Sequence, residues 1–107
     1  MELLKLDLIV RALDDKKAED IVTIEVGDKT PFFDYYVFAT VNNSRQASSC
    51  VDAIEESFEK TSLSIKKVDG RYNSSWTIVD CEDILVHIFT PEERNRISLE
   101  KLLESIK

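Results

Sequence analysis

Apolar side chains recur at helical spacing near the start of the chain. Leu3, Leu6, Val10 and Leu13 are separated by three or four positions, the spacing that places side chains on one face of an α-helix. The pattern therefore predicts an amphipathic helix over residues 2–16. Its apolar face is expected to pack on a sheet.

Two runs of strand length follow this predicted helix. The first, at 21–26, is rich in β-branched residues and ends at Gly27, whereas the second, at 35–39, is apolar at nearly every position. β-Branched and aromatic residues favour strands, and a continuous apolar run is expected of a strand covered on both faces. We predict a strand in each place.

A second helix is predicted to begin at Asn43 or Ser44 and to run to about Thr61. Either residue can accept hydrogen bonds from the free backbone N–H groups at a helix start. Gln46 lies three residues after Asn43, where its amide can reach back as in a capping box. The predicted apolar face of this helix consists of Ala47, Val51, Ile54 and Phe58.

A β-hairpin is predicted over residues 76–80 and 84–90. With its loop at 82–83, Trp76 lies opposite Phe89. Cross-strand aromatic pairs of this kind contribute roughly 0.2 to 1 kcal/mol to stability. The hairpin is therefore expected to be a well-defined part of the sheet.

The remaining segments complete a mixed order of helices and strands. A short strand is predicted at 65–68, before the hairpin. After the hairpin, Thr90, Pro91 and Glu93 form a helix start with a cap, a first-turn proline and a third-position glutamate. A helical tail is predicted to continue through 99–103. This order implies an α+β fold in which helices pack on one mixed β-sheet.

Length and charge narrow the class of partner. A chain of 107 residues suits one domain, predicted as 1–107. Fourteen basic residues against twenty-one acidic ones give a net charge of −7, which repels nucleic-acid phosphates and attracts basic proteins. We therefore expect a basic protein partner and no direct nucleic-acid contact.

Cysteine usage and the start of the chain indicate a reducing, cytoplasmic environment. Cys50 and Cys81 have neither the number expected of a disulfide scaffold nor the spacing of a zinc site. We expect both to be reduced and at least partly buried. Glu2, Lys5 and Asp7 interrupt the first apolar run, so neither a signal peptide nor a membrane span is predicted there.

The side chains with catalytic potential all have structural explanations. His87 is the only histidine and cannot complete a ligand set by itself, so we interpret it as a satisfied, semi-buried structural residue. Asp80 and Asp83 could hold Mg²⁺ or share a proton, but aspartate also favours turns. Ser44 lacks a partner base and is better explained as a cap. We predict no catalytic, cofactor or metal residues.

A tryptophan with acidic neighbours forms a candidate binding patch. Trp76 begins the hairpin after a polar run, and such a residue is either core or a recognition anchor. Asp80, Glu82 and Asp83 follow it closely. An aromatic and acidic patch of this kind suits a partner lined with lysine or arginine.

A set of short motifs, spread over nearly the whole chain, carries a family resemblance. The motifs are LDDKKAEDI at 13–21, FDYYV at 33–37, AT at 39–40, NSRQ at 43–46, WTIVD at 76–80, DILVHIF at 83–89 and PEER at 91–94. In this order and spacing they resemble the ribosomal silencing factor family, also called RsfS or Iojap-like. Each motif alone is weak, whereas the combination is fairly specific.

The resemblance implies a fold, a function and a partner. It implies a nucleotidyltransferase-like α+β fold, a tendency to form homodimers and no enzymatic activity. It further implies binding to the fourteenth protein of the large ribosomal subunit, which keeps the small subunit from joining and represses translation. The partner contacts implied for this chain are Trp76, Asp80, Cys81, Glu82, Asp83 and Ile84.

Two departures from the family pattern concern the turn and the end of the chain. Glu82 stands where the family usually has glycine, which would cost roughly 1 to 2 kcal/mol if the backbone there is left-handed. Ile97 and Leu103 occupy the region of the family's closing tyrosine and tryptophan. A terminal aromatic contact therefore cannot be carried over.

Two other functions remain open at this point. A nucleotidyltransferase-like enzyme is suggested by the implied fold and by Asp80 and Asp83, although Asn43 and Ser44 stand in place of the Gly-Ser turn of such enzymes. A generic acidic dimeric adaptor for another basic protein would also fit the composition.

Overall fold

Three helices and five strands make up the described part of the chain. The structure is a computed structural model that describes residues 2–70 and 75–97. The elements are α1 (Glu2–Asp15), β1 (Glu19–Glu25), β2 (Tyr35–Thr40), α2 (Ser44–Glu59), β3 (Lys67–Asp69), β4 (Trp76–Asp80), β5 (Ile84–Phe89) and α3 (Pro91–Ile97). Each of these elements was predicted with bounds within about two residues, and the predicted tail at 99–103 lies outside the described residues.

The five strands form one mixed sheet in the order β1-β2-β5-β4-β3. Neighbouring strands are antiparallel except for β2 and β5, which run parallel. The chain therefore crosses over through α2, β3 and β4 before β5 is inserted beside β2. The α+β architecture with a mixed sheet packed by helices is confirmed.

The main hydrophobic core lies between the sheet and the helices α1 and α2. Side chains alternate between the two faces of a strand, so every second residue of β2, β4 and β5 points towards these helices. The helices contribute Ile9, Leu13, Cys50, Val51, Ile54 and Phe58 to this core, and the strands contribute Val37, Ala39, Val79, Ile84, Val86 and Ile88.

Gln46 holds the start of α2 against the loop that follows α1. Its backbone N–H donates to Oδ1 of the cap Asn43 at 2.9 Å, as predicted. Its side-chain Oε1 accepts from the backbone N–H of Asn42 at 2.8 Å instead of from Asn43, so the expected capping box is displaced by one residue. Its Nε2 donates to the carbonyl oxygens of Lys16 and Lys17, both at 3.1 Å.

The opposite face of the sheet is also apolar and is rich in aromatic rings. Residues directly opposite each other on neighbouring strands share a face, and the strand registers therefore define one continuous surface. We call this surface the aromatic face; its apolar and aromatic members are Val22, Ile24, Tyr36, Phe38, Trp76, Ile78, Leu85, His87 and Phe89. Phe38, His87 and Phe89 are buried at its centre.

Helix α3 approaches one end of the aromatic face. The guanidinium carbon of Arg94 lies 5.7 Å from the centre of the Phe89 ring. Nη1 of Arg94 donates to Oγ1 of Thr40 at 2.7 Å and to the carbonyl oxygen of Asp20 at 2.8 Å. Arg94 therefore ties α3 to the ends of β1, β2 and β5.

Candidate protein-binding face

Trp76 is a half-buried residue held in one orientation by its neighbours. It pairs with Phe89 across the β4–β5 ladder, as predicted, and the two ring centres are 6.2 Å apart with the planes inclined by 29°. The indole Nε1–H donates to Nδ1 of His87 at 3.2 Å. Because these contacts restrict the indole before any partner arrives, little side-chain freedom would be lost on binding.

His87 is a neutral residue at the centre of the aromatic face. Aromatic rings of Tyr36, Phe38, Trp76 and Phe89 surround it with centroid distances between 5.1 and 6.3 Å. Burial lowers the pKa of His87 to about 4, because the charged imidazolium is poorly solvated there. His87 is therefore uncharged at neutral pH, and it is buried where the sequence predicted a semi-buried residue.

The two ring nitrogens of His87 differ in their hydrogen bonding. Nδ1 accepts from Trp76, which places the proton of the neutral ring on Nε2. Nε2 is buried without a hydrogen-bond partner in the described part of the structure. The prediction that the polar atoms of His87 are all hydrogen-bonded is therefore wrong for Nε2. The side chains around the imidazole are aromatic rings.

The hairpin turn uses Asp80 to stabilise its backbone. Oδ1 of Asp80 accepts the backbone N–H of Glu82 at 2.9 Å, and the N–H of Asp83 donates to the carbonyl oxygen of Cys81 at 3.0 Å. An aspartate that accepts a hydrogen bond from two residues further along is a common turn device. The turn interpretation of Asp80 is confirmed.

Asp83 forms an internal ion pair with α1. Its carboxylate lies 2.8 Å from Nζ of Lys5, and the side chains are 29% and 12% exposed, respectively. Nζ of Lys5 also donates to the carbonyl oxygen of Cys81 at 3.1 Å. Asp83 therefore fastens the hairpin to the first helix, and most of its charge is compensated within the molecule. Asp80 and Asp83 suggested a nucleotidyltransferase-like enzyme as the alternative. In the structure, Asp80 stabilises the turn and Asp83 forms this ion pair.

Two residues expected to contact the partner are buried in the main core. Cys81 and Ile84 are both 0% exposed, and burial raises the pKa of the Cys81 thiol to about 12. The resemblance implies that both residues contact the partner, but their side chains lie in the core between the sheet and the helices and are closed to a partner in this conformation. Cys50 is buried as well, and both cysteines are free thiols, which confirms their predicted burial.

The accessible part of the candidate site is a stripe along β4 with its neighbours. Trp76, Ile78 and Asp80 point to the aromatic face, with Glu82 exposed at the turn and Leu85 half-buried beside Asp80. Trp76 and Asp80 are about 13 Å apart at roughly 3.3 Å per strand residue. Ile78 and Leu85 were not among the site residues predicted from the sequence, although the period-two spacing along each strand could have identified them.

The candidate site contains no metal centre in the residues that the structure describes. Across residues 2–70 and 75–97, no group of three or more histidine, cysteine or acidic side chains could hold an ion. Helices in the same ranges are all too short or too polar to cross a membrane. The aromatic face combines a buried apolar centre with the acidic residues Asp80 and Glu82 at one end.

Glu82 occupies a backbone conformation that glycine would adopt with less strain. Its φ is 79°, in the left-handed region that costs a residue with a Cβ atom about 1 to 2 kcal/mol. Glycine would lose about 0.5 to 1 kcal/mol through the entropy of the unfolded chain. We therefore expect Glu82→Gly to raise the free energy of unfolding by about 0.5 to 1 kcal/mol, measured by urea denaturation.

Glu82→Ala is the matched control for this expectation. Alanine removes the carboxylate but keeps Cβ, so it should give no comparable gain. Equal stabilisation by glycine and alanine would show that the charge of Glu82, and not its backbone conformation, is responsible.

Comparison with known proteins settles the family. Residues 2–107 match the family model described as "Ribosomal silencing factor during starvation". The chain belongs to this family. Members of the ribosomal silencing factor family are named for repression of ribosomes and not for an enzymatic reaction, and membership implies ribosome-associated repression of translation.

Individual relatives and a solved structure agree with this assignment. The chain is 31% identical over 97 residues to the ribosomal silencing factor RsfS of Bacillus subtilis, covering 91% of this chain and 82% of the relative. It is 27% identical over 100 residues to the mouse protein named mitochondrial assembly of ribosomal large subunit protein 1, covering 91% of this chain and 44% of that protein. A crystal structure of a Chromobacterium violaceum protein superimposes with a TM-score of 0.88 at 25% identity, covering 94% of this chain and 83% of that one.

Proposed function

We propose that this ribosomal silencing factor binds a basic protein of the large ribosomal subunit, the fourteenth, and sterically prevents the small subunit from joining. The observation that carries the proposal is the aromatic face, which presents Trp76 at one end of β4 and the acidic residues Asp80 and Glu82 at the other. Family membership supports the ribosome as the place of action, and the relative named for large-subunit assembly supports that subunit. The mechanism needs no bond to be made or broken.

The proposed binding energy comes from Trp76 and from the acidic residues of this face, in different ways. Tryptophan is prominent among interface hot spots, because a large ring covers much apolar area with few rotatable bonds. Asp80 and Glu82 would attract lysine and arginine on the partner and accelerate association, an effect that salt screens. The net charge of −7 acts in the same direction over longer distances.

We propose the cytoplasm as the location and a homodimer as a second assembly of the protein. The mixture of acidic exterior and buried free thiols is compatible with a reducing compartment. The dimer follows from family resemblance, and sedimentation of the purified protein over a range of concentrations would measure it.

We expect Trp76→Ala to weaken binding to isolated large subunits by at least about 1 kcal/mol, as truncation of an interface anchor does. The measurement is co-sedimentation with large subunits over a salt series, together with the rate of subunit joining. Trp76→Phe keeps a ring on Phe89 and is expected to lose less affinity. Circular dichroism should show that each variant is folded.

A pair of charge variants tests the acidic residues of this face independently of stability. Glu82→Gln and Glu59→Gln remove one negative charge each from exposed positions, but Glu59 belongs to α2, which packs on the sheet face opposite the aromatic face. Only Glu82→Gln should weaken binding and reduce its salt dependence.

Unchanged affinity in folded Trp76→Ala would place the interface elsewhere, and absence of large-subunit binding at low salt would refute the proposed function.

A further inference from the structure

Strand β1 forms an edge of the sheet within the described residues. An edge strand has one neighbour, so about half of its backbone N–H and C=O groups point away from the sheet and can pair with an added strand. The ladder between β1 and β2 is regular from Val22 to Glu25. A bulge lies between Glu19 and Val22, where Asp20 has a φ of 49°. Only the second half of β1, from Val22 to Glu25, can therefore form regular backbone hydrogen bonds with an added strand.

An apolar groove runs beside this edge on the helix side of the sheet. It has a volume of about 430 Å³ and lies between α1, which contributes Leu6, Asp7 and Val10, and β1, which contributes Ile21 and Thr23. A strand added to β1 would point every second side chain towards the helices. Those side chains would enter the groove, so the edge and the groove together form a site for an extended chain with apolar residues at alternate positions.

The charges along β1 determine which kind of chain fits. Glu19 and Asp20 lie at its start and Glu25 at its end, and all three are exposed. If two copies paired antiparallel through this edge, the three acidic residues of each copy would lie close to those of the other. Like charges directly opposite each other in a sheet are destabilising. A segment with lysine or arginine at its ends would instead pair favourably with both acidic ends.

We propose that the β1 edge binds an extended basic segment of a partner protein by strand addition, with alternate apolar side chains in the groove between α1 and β1. Backbone hydrogen bonds to Val22–Glu25 supply affinity, and the groove and the flanking acidic residues supply selectivity, as in other complexes that extend a sheet. This site is separate from the aromatic face and does not depend on the proposed ribosomal function.

The test uses the complete chain and a fluorescein-labelled peptide in which valine and threonine alternate between pairs of lysines. A second peptide has proline in place of the central valine, which keeps the charge but removes a backbone donor. We expect the first peptide to bind at least about tenfold more tightly than the second, measured by fluorescence anisotropy. In amide NMR spectra of the chain, the shifts should concentrate on β1 and on residues 6–10.

Thr23 provides a pair of variants at the mouth of the groove. Its side chain is exposed, so Thr23→Val and Thr23→Lys should both be tolerated in the fold. Thr23→Lys should weaken peptide binding about tenfold or more through charge repulsion and obstruction, whereas Thr23→Val should bind at least as tightly as the unmodified chain.

Three outcomes would overturn the proposal. Equal binding of the two peptides would show attraction by charge alone, and amide shifts on the aromatic face would show that the peptide uses that surface. No binding of either peptide at low salt would remove the site altogether. The wild-type measurements with the two peptides decide the question even if a Thr23 variant does not fold, and none of them involves ribosomes.

Discussion

Replacing Phe38 with alanine is expected to lower the free energy of unfolding by about 3 to 5 kcal/mol, the usual cost of truncating a buried phenylalanine. Phe38 is 0% exposed, and its ring centre lies 5.1 Å from that of His87 and 6.0 Å from that of Phe89. The truncation removes these contacts and leaves a cavity that the rigid strands can fill only in part. Urea denaturation with an unchanged m-value would measure the loss.

Two further variants define what this result would mean. Phe58→Ala removes an equally buried ring from the main core on the helix side and should cost about as much as Phe38→Ala. Phe32 is 76% exposed, and Phe32→Ala should change stability by no more than about 0.5 kcal/mol. If Phe38→Ala cost less than about 1 kcal/mol, the centre of the aromatic face would not be a packed core.

Stability is expected to fall by up to about 3 kcal/mol as the pH falls from 6.5 to 4, through the protonation of His87. The pKa of His87 is about 4 in the folded chain against 6.5 for the ordinary side chain. Each pKa unit corresponds to about 1.4 kcal/mol. Between these pH values the unfolded chain binds the proton more strongly, so acid favours unfolding. Above pH 6.5 and below pH 4, the contribution of His87 to the free energy of unfolding should change little with pH.

Carboxylates also titrate in this interval, and the variant His87→Gln separates their contribution. Glutamine can accept the indole hydrogen bond of Trp76 but does not ionise near pH 5. Unfolding by urea, followed by the fluorescence of Trp76, gives the stability of both proteins from pH 4 to 7.5. The difference between the two curves isolates His87. Curves that remain parallel across the interval would contradict the lowered pKa.

These two expectations concern a surface that contributes to stability and that we propose for recognition. The centre of the aromatic face is packed, with Phe38, His87 and Phe89 buried, whereas Trp76 and Leu85 at its margin are half-buried. A rigid centre keeps the margin in place, and a margin of fixed shape reduces the entropy lost when a partner binds. A variant at the margin is therefore the better probe of binding, and a variant at the centre is the better probe of folding.

The sequence by itself determined the helices and strands and the short-range contacts that stabilise them. Helical spacing in 2–16 and 47–58, the helix start at 90–93 and the apolar runs of the strands predicted every described element, because these patterns depend on residues close together in the chain. The same holds for the cap Asn43 and for the pairing of Trp76 with Phe89 through a short turn. The family motifs added the family and, with it, ribosome-associated repression of translation, because their order extends along nearly the whole chain.

Only the tertiary structure decided which side chains the candidate site presents. Asp83 is neutralised by Lys5, which lies 78 positions away in the chain, and Cys81 and Ile84 turn out to face the main core. The insertion of β5 between β2 and β4 creates the aromatic face. These outcomes depend on how distant segments pack and exclude water from one another, and no pattern of neighbouring residues encodes that arrangement.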